Sequence, residues 1–193
     1  TRMPVSRILR PAGKAVIIQF TNGTERHFDQ VVVATHANDA LAMLGDPTNA
    51  EKSILRALPY KSNEVILHTD TRLLPQSQRA WSSWNYRLKP ESGRATVTYN
   101  MNILQGIRAP ETFCITLNDT ESINPHRILG RFNYAHPQFT VTGMAAQERW
   151  ADINGQNGTW FCGAYWQNGF HEDGLTSGLS VANSMKASIK MAA

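Results

Sequence analysis

The sequence is poor in cysteine and has no apolar run that could cross a membrane. A transmembrane helix needs about 18 or more consecutive apolar residues, so we expect no integral membrane segment. Only Cys114 and Cys162 are present, far apart and without C-x-x-C spacing, which favours buried free thiols over a metal or redox pair. No secretory signal opens the chain. These absences predict a cytoplasmic protein.

Clustered charge and several common motifs are also missing. The net charge is +4, but the basic residues are scattered and form no run, so no nucleic-acid partner is predicted. The sequence has no P-loop, H-E-x-x-H or G-x-S-x-G pattern. It also lacks a G-x-G-x-x-G between a strand and a helix, the motif that holds a dinucleotide pyrophosphate at a helix N-terminus.

The composition itself is that of a globular protein, with 41% hydrophobic and 18% charged residues. Residues 5–10 and 15–20 read as strands, and the uninterrupted apolar run at 31–34 is typical of a parallel strand buried on both faces. Helices are expected up to residue 44 and over 51–57. The chain therefore begins like half of an α/β layer.

The middle of the chain has a different pattern. Segments rich in Val, Ile, Thr, Trp and Tyr predict an antiparallel sheet, with a turn at 90–93; these segments are 63–69, 80–87, 94–100, 112–118 and 129–135. A helix over 142–153, a strand over 158–163 and a helix over 174–191 follow. The last helix carries one apolar stripe, formed by Leu175, Leu179, Ala182, Met185 and Ile189.

Glycines mark the junction between that last strand and helix. Gly174 and Gly178 have no Cβ, so a flat ligand could lie against the helix start, where free N–H groups can donate to its oxygens. A glycine inside a helix costs up to about 1 kcal/mol relative to alanine, so Gly178 suggests close packing. The alternative is that both glycines serve only the loop and the packing of the helix.

This junction resembles the C-terminal FAD signature of the flavin amine-oxidase superfamily, which includes monoamine and polyamine oxidases, protoporphyrinogen oxidase and phytoene desaturases. The signature is a strand ending in Gly, a loop, then Gly-x-x-[SE]-Gly-x-x-x-[AG]. The matching residues are Gly163, Gly174, Ser177, Gly178 and Ala182. Residues 4–37 resemble a mid-chain FAD-domain segment of the same family. The segments GFHEDGL (169–175) and WSSWNY (81–86) resemble those of bacterial predicted NAD/FAD-binding proteins that are associated with fatty-acid modification.

The resemblance implies an α+β fold of the FAD/NAD(P)-binding type. The N-terminal dinucleotide motif of that fold is absent from this sequence. Residues 1–58 and 136–193 would form a partial FAD-binding domain, and residues 59–135 would form an antiparallel substrate-binding domain. Alternatively, residues 136–157 would be a helix of the substrate-binding domain. The implied FAD contacts are Val5, Ala34, Thr35, Gly163, Ala164, Tyr165, Asp173, Gly174, Leu175 and Thr176. The implied substrate contacts are Trp84, Tyr86, Tyr165 and Trp166.

Alternatives remain for several of these residues. Tyr165 and Trp166 could be ordinary core aromatics, and Trp84 and Tyr86 could serve cross-strand packing. Asp173 could act as the N-cap of the last helix. Three consecutive residues rarely face one point, so the run His171 to Asp173 predicts no metal site.

By resemblance, the protein is an FAD-dependent oxidoreductase, similar to amine oxidases and desaturases, that takes a hydride from a C–H bond of an apolar substrate. A fatty-acyl chain is the first choice and an amine the second, because Lys61 has no clear match to the lysine that many family members place near the flavin. The missing motif should lie upstream of Thr1. We therefore expect a C-terminal fragment that is inactive alone and does not retain FAD. The alternative is a non-catalytic lipid- or protein-binding module that keeps the family fold.

Overall fold

A computed structural model describes residues 2–89 and 94–192, without the side chains of residues 89, 94, 95 and 189–192. The turn expected at 90–93 lies outside the described residues. The chain divides into two compact units. Unit 1 comprises Thr1–Tyr60 and Pro137–Ala193, and unit 2 comprises Lys61–His136. Both helices and sheets are present, which confirms the predicted α+β class.

Ten strands and six α-helices lie within the described residues. The strands are β1 (Val5–Leu9), β2 (Val16–Phe20), β3 (Glu25–Phe28), β4 (Val31–Val33), β5 (Tyr60–His68), β6 (Trp84–Lys89), β7 (Arg94–Asn100), β8 (Cys114–Leu117), β9 (Ile128–Pro137) and β10 (Thr159–Phe161). The helices are α1 (Ala37–Met43), α2 (Asn49–Arg56), α3 (Met101–Gln105), α4 (Val141–Gln147), α5 (Trp150–Ile153) and α6 (His171–Ala192).

Unit 1 contains two small sheets. Strands β1, β2 and β3 form an antiparallel meander. Strand β4 pairs in parallel with β10, with Val31 opposite Thr159 and Val33 opposite Phe161. This pairing confirms a parallel strand over Val31–Val33, but the expected burial on both faces is wrong, since Val32 is 42% exposed. Because the partner strand comes from the far end of the chain, the pairing joins the first and last segments in one unit.

A buried ion pair ties the meander of unit 1 to helix α2. The Arg10 guanidinium donates to Glu51, with 2.9 Å between Nη2 and Oε2, and to Asp46, with 2.9 Å between Nε and Oδ1. Glu51 is 1% exposed. It also completes the capping box that starts α2, because its carboxylate accepts from the Thr48 N–H at 2.7 Å and its own N–H donates to the Thr48 hydroxyl.

Unit 2 is built on a five-stranded sheet in the order β6-β7-β8-β5-β9. Strands β6, β7, β8 and β5 pair antiparallel in that order, as the pattern of the middle segment predicts. A small apolar cluster of Ile66, Leu73 and Ile123 supports one end of the sheet. The register places alternate residues of each strand on opposite faces, which defines the two surfaces described below.

Several element boundaries differ from the prediction. The helix expected over 142–153 is split into α4 and α5, because Arg149 is not helical (φ −92°, ψ 16°). The break lets the Trp150 indole donate to the Phe161 carbonyl at 3.1 Å. The strand expected over 80–87 is observed as β6, which begins only at Trp84, and residues 78–80 form a 3-10 turn. Helix α3 was not predicted, and α6 begins at His171 instead of 174.

The apolar stripe of α6 is buried only in part, and the side chain of Ile189 lies outside the described residues. Leu175 and Leu179 are 56% and 54% exposed, and Ala182 is also exposed, while Met185 is half-buried. The close packing expected at Gly178 is absent as well, since a Cβ there would meet nothing within 4 Å among the described residues. None of the helices in the described part of the chain has the length and apolarity to span a bilayer.

Candidate functional site

The first candidate site lies in unit 1, where strands β4 and β10 end side by side. The Cys162 N–H donates to the Val33 carbonyl at 3.1 Å, so the residues that follow each strand are brought together. Ala34 and Thr35 are exposed and Gly163 and Ala164 are half-buried. In α/β sheets, ligands bind outside the carboxyl ends of parallel strands. The structure thus brings four of the predicted cofactor contacts together at the edge of the sheet formed by the carboxyl ends of β4 and β10.

Gly163 is held in a conformation that suits glycine. Its φ is +154°, and a Cβ would lie 2.5 Å from the Tyr165 ring. Its N–H donates to the hydroxyl of Ser177, which is 5% exposed, at 3.1 Å. Ser177, the serine of the signature, therefore connects the end of β10 to α6. Any side chain at Gly163 would displace the Tyr165 ring.

The N-terminus of α6 is organised by Asp173. Its carboxylate accepts from the Phe170 N–H at 2.8 Å and from the Asn168 N–H at 3.1 Å. Asp173 is therefore not the N-cap but the third residue of the helix, because α6 begins three residues earlier than expected. Its negative charge still stabilises the helix start.

The earlier start also changes which N–H groups are free. The Gly174 N–H already donates to the Phe170 carbonyl at 3.2 Å, so the helical ladder begins there. Leu175 and Thr176 follow Gly174 in the helix, where each backbone N–H donates to the carbonyl oxygen four residues earlier. The three N–H groups before Gly174, at residues 171–173, are those that a helix leaves without a helical partner.

Gly174 itself has space around it. A Cβ there would meet only the Cβ and backbone nitrogen of Ala164, both at 3.8 Å, which is ordinary van der Waals contact. The described residues therefore give no packing reason for a glycine at this position.

Tyr165 and Trp166 are core residues. They are 3% and 6% exposed and pack in the main apolar cluster of unit 1, with ring centroids 5.2 Å apart. This agrees with the packing alternative and does not place either ring on an open surface. The Tyr165 hydroxyl and the Trp166 indole nitrogen are buried, and the described residues offer neither of them a hydrogen-bond partner of good geometry. Burial raises the pKa of Tyr165, so its hydroxyl stays protonated.

Two ring residues beside this sheet edge were missed by sequence reasoning. His36, directly after Thr35, stacks on Tyr60 with 4.4 Å between ring centroids, and Tyr60 meets Tyr165 edge-on at 6.4 Å. Burial raises the pKa of Tyr60 to about 12. The sequence offered one signal for His36, namely that it directly follows Ala34 and Thr35, which were predicted as cofactor contacts. Val5, in contrast, belongs to the meander, where it is half-buried opposite Phe20.

The second candidate site is the sheet of unit 2, which has one polar face and one apolar face. The polar face is buried and forms a chain of hydrogen bonds. The Asp70 N–H donates to His68 Nδ1 at 3.1 Å, and His68 Nε2 lies 2.8 Å from the Thr116 hydroxyl. That hydroxyl lies 2.8 Å from the hydroxyl of Thr98. Because Nδ1 accepts, the proton of the neutral ring is on Nε2.

Charges beside this network are also paired. Asp70 accepts from the Arg72 guanidinium and from the Asn124 N–H at 2.8 Å. The Arg72 hydrogen bond is the main reason that the pKa of Asp70 is well below its usual range. Burial lowers the pKa of His68, while the charge of Asp70 opposes that shift. The histidine is therefore neutral at pH 7, and the network is a structural element.

The apolar face lies on the other side of the sheet. Its described positions, taken from the strand register, are Val65, Leu67, Trp84, Tyr86, Leu88, Val97, Tyr99, Ile115 and Leu117. Trp84 is 47% exposed and Tyr86 69% exposed. Trp84 meets Tyr99 edge-on, with 5.5 Å between centroids. The two predicted substrate residues therefore share one exposed surface.

The two thiols are unsuited to nucleophilic chemistry. Both are buried. Burial raises the pKa of Cys114 to about 11, with the charge of Asp70 adding to the shift, and burial also raises the pKa of Cys162. In the part of the chain that the structure describes, no three His, Cys, Asp or Glu residues are grouped to hold a metal ion.

Residues 1–112 match the family described as flavin containing amine oxidoreductase. The match covers more than half of the chain, and the protein belongs to this family. Its fold is accordingly of the flavin-dependent oxidoreductase type. No curated protein sequence matches the chain.

Solved structures of an isomerase and of two amine oxidases have a similar fold. A CLA-producing fatty acid isomerase from P. acnes superposes with a TM-score of 0.60 at 14% identity, over 89% of this chain and 44% of that one. Wild-type putrescine oxidase bound to putrescine gives 0.61 at 10% identity, over 96% and 48%. Cyclohexylamine oxidase from Brevibacterium oxydans gives 0.59 at 11%, over 97% and 48%. The chain thus spans less than half of the length of these structures.

Proposed function

We propose that this chain supplies the substrate-binding sheet and one wall of the flavin site of an FAD-dependent oxidoreductase. The observation that carries the proposal is the shared edge of β4 and β10, where the strand ends and the start of α6 are joined by the Gly163–Ser177 hydrogen bond. Family membership supports a flavin at this edge.

The residues present fit a flavin. The N–H groups of residues 171–173 are the natural donors for ring oxygens, because a helix N-terminus attracts partial negative charge. Gly174 leaves the backbone open to a flat ring, and Ala34, Thr35, Gly163 and Ala164 line the neighbouring strand ends. A bound FAD would supply the hydride acceptor, and the chain would bind and orient it. The pyrophosphate would need a motif that this sequence lacks.

We propose an uncharged apolar chain, such as a fatty-acyl group, as the substrate. The apolar face of unit 2 offers two exposed aromatic rings and an exposed leucine. Along β5 to β8, the described positions of that face carry no carboxylate, and the charge they carry is that of Lys61, four residues before Val65. A protonated amine would need a carboxylate or an aromatic cage to replace its hydration. An acyl chain needs only apolar contact, so the absence of a carboxylate favours it.

The test is an absorbance spectrum of the complete protein, followed by anaerobic addition of candidate substrates. We expect bound oxidised flavin that is bleached by a long-chain acyl substrate and not by a simple alkylamine. The 193-residue chain alone should purify without flavin. Complete protein that carries no flavin and takes up none would contradict the proposal.

A non-catalytic lipid-binding module is the second candidate. It is favoured by one observation, namely that the chain has an exposed apolar face but no pyrophosphate motif. Tight binding of a fatty acid by complete protein that binds no flavin would support it.

A further inference from the structure

The apolar face of unit 2 carries one positive charge, at the start of β5. Side chains alternate along that strand, so Lys61 projects from the same face as Asn63 and Val65. Lys61 is exposed, and no ion pair joins its ammonium to another residue in the described part of the chain. Glu64, the carboxylate of the same strand, lies on the opposite face, 3.7 Å from Arg131. The Lys61 cation is therefore available to an anion from outside the chain.

The edge strand β9, which pairs with β5, extends the apolar face. Asn133 is hydrogen-bonded to Ser62 on the opposite face of the sheet. Alternation along β9 then places Phe132, Tyr134 and His136 on the apolar face. The Phe132 and Tyr134 rings are 43% and 52% exposed and stack with 5.9 Å between their centroids. An exposed aromatic surface therefore lies directly beside His136.

A chain of side-chain amides fixes the His136 ring. The Glu64 N–H donates to Asn118 Oδ1 at 3.0 Å, and Asn118 Nδ2 donates to Asn63 Oδ1 at 2.8 Å. Asn63 Nδ2 is thus the donor both to the Lys61 carbonyl, at 3.1 Å, and to His136 Nδ1, at 2.9 Å. Because Nδ1 accepts, the neutral ring carries its proton on Nε2. Within the described residues this Nε2–H has no acceptor, so it is a second donor for a ligand.

The two groups suit a carboxylate that is attached to an apolar chain. An ammonium and an imidazole N–H are both donors that form charge-assisted hydrogen bonds with carboxylate oxygens. The rings of Tyr134 and Phe132 offer apolar contact to the methylene groups that follow the carboxylate. A protonated amine would instead meet the like charge of Lys61.

We infer that the substrate is a free long-chain carboxylic acid, whose carboxylate is bound by Lys61 and His136 and whose chain continues over Tyr134 onto the apolar face. This inference deepens the proposed function and rests on it, because it assigns the head group of the same substrate. An ester or an alcohol with the same chain has no negative charge and would lose the ion pair. The site should therefore select the free acid.

The test compares the binding of hexadecanoate and hexadecanol to the complete protein at neutral pH. The two ligands share one chain, so the ratio of their Kd values isolates the contribution of the carboxylate. The unmodified protein should bind hexadecanoate about five- to tenfold more tightly. This ratio lies between the contribution of an exposed ion pair and that of a desolvated charge-assisted hydrogen bond.

Substitutions then assign that preference to particular residues. Lys61→Gln should weaken the binding of hexadecanoate by about fivefold and leave that of hexadecanol unchanged, whereas Lys61→Arg should keep the preference because the charge remains. His136→Phe should lower the ratio by about threefold, since it removes one donor. Arg87→Gln is the matched control, because it removes an exposed cation from the opposite face of the same sheet. Unchanged binding of hexadecanol verifies that each variant is folded.

The outcomes separate the carboxylate site from the proposed function. If the complete protein binds flavin that an acyl substrate bleaches, but Lys61→Gln leaves the Kd ratio unchanged, the carboxylate site is wrong and the function stands. Equal affinity of the unmodified protein for the acid and the alcohol would also overturn the site. If Lys61 holds hexadecanoate in complete protein that takes up no flavin, the carboxylate site stands and the oxidoreductase function is wrong.

Discussion

The two units bury opposite kinds of surface. Unit 1 encloses an apolar cluster around Phe161 and Leu55, and it pairs the buried Arg10 with Glu51 and Asp46. Unit 2 buries the threonine and histidine face of its sheet and exposes the face that carries Trp84 and Tyr86. Sheets with one solvated face usually show the reverse alternation. The comparison teaches that unit 1 buries most of its apolar side chains, while unit 2 leaves the aromatic part of an apolar face exposed, as the proposed substrate surface requires.

The difference also changes how each unit should respond to substitution. In unit 1, buried charges are the sensitive points, because an ion left unpaired in the core is costly. In unit 2, hydrogen bonds between neutral side chains link the buried strand residues, the paired Asp70 lies beside them, and the exposed aromatics contribute little to folding. The following experiments test this contrast.

The largest effect should come from the buried ion pair of unit 1. Arg10→Met leaves Glu51, which is 1% exposed, without its partner. We expect a loss of about 3–5 kcal/mol in the free energy of unfolding, measured in urea. The control is Arg149→Met, which breaks an exposed pair with Asp152 and should cost about 1 kcal/mol or less. If the two variants lost equal free energy of unfolding, burial would not determine how much an ion pair contributes to the stability of unit 1.

In unit 2, Thr116→Val should cost about 1–3 kcal/mol, because His68 and Thr98 each lose a buried partner. The exposed Thr176→Val is the control and should change the unfolding free energy by about 0.5 kcal/mol or less. Since Thr98 and Thr116 share one hydrogen bond, the double valine variant should cost less than the sum of the single ones. Strict additivity would argue against a connected network.

A third substitution tests the strand-end site. Gly174→Val should weaken FAD binding to the complete protein by about 5- to 150-fold, because a branched side chain would occupy the space of the ring. The same variant should leave the thermal unfolding of the apo chain nearly unchanged, as a Cβ there meets only ordinary contacts. Normal FAD affinity combined with lost apo stability would mean that Gly174 serves packing alone.

The pH dependence of unit 2 should follow His68. Burial lowers its pKa in the folded state, so below about pH 6.5 the unfolded state binds a proton that the folded state does not. Stability is therefore complete above that pH and falls toward pH 5, by at most about 1.4 kcal/mol per pH unit. The lowered pKa of Asp70 acts only below its ordinary value of 3.8. Urea titrations at pH 5 and 7 measure the effect, and His68→Gln should reduce it.

The smallest effect concerns the apolar face. Tyr86→Ser removes a ring that is 69% exposed, so the free energy of unfolding should change by about 0.5 kcal/mol or less. Affinity of the complete protein for a long-chain fatty acid should fall by about 1 kcal/mol, or roughly fivefold in Kd. Phe28→Ser, an exposed aromatic of unit 1, is the control and should not alter that affinity. An unchanged Kd for Tyr86→Ser would remove the apolar face from the substrate proposal.

Much of this fold could be predicted from local patterns. The apolar run at 31–34 indicated a parallel strand, and the alternating segments of the middle indicated an antiparallel sheet, because side-chain period follows backbone geometry. Capping was less predictable. Asp173 could equally be an N-cap or a third-position acid, and the choice depended on where Phe170 and Asn168 place their N–H groups.

The sequence by itself determined the family signature, the class of fold and the absence of a pyrophosphate motif, since each depends on residue type and spacing along the chain. Tertiary structure decided which face each residue occupies. It buried Tyr165 and Trp166 while leaving Leu175 and Leu179 exposed, although all four are apolar residues of the same segment. The physical reason is that burial depends on neighbours distant in sequence, such as the partner of β10, and no local pattern specifies them.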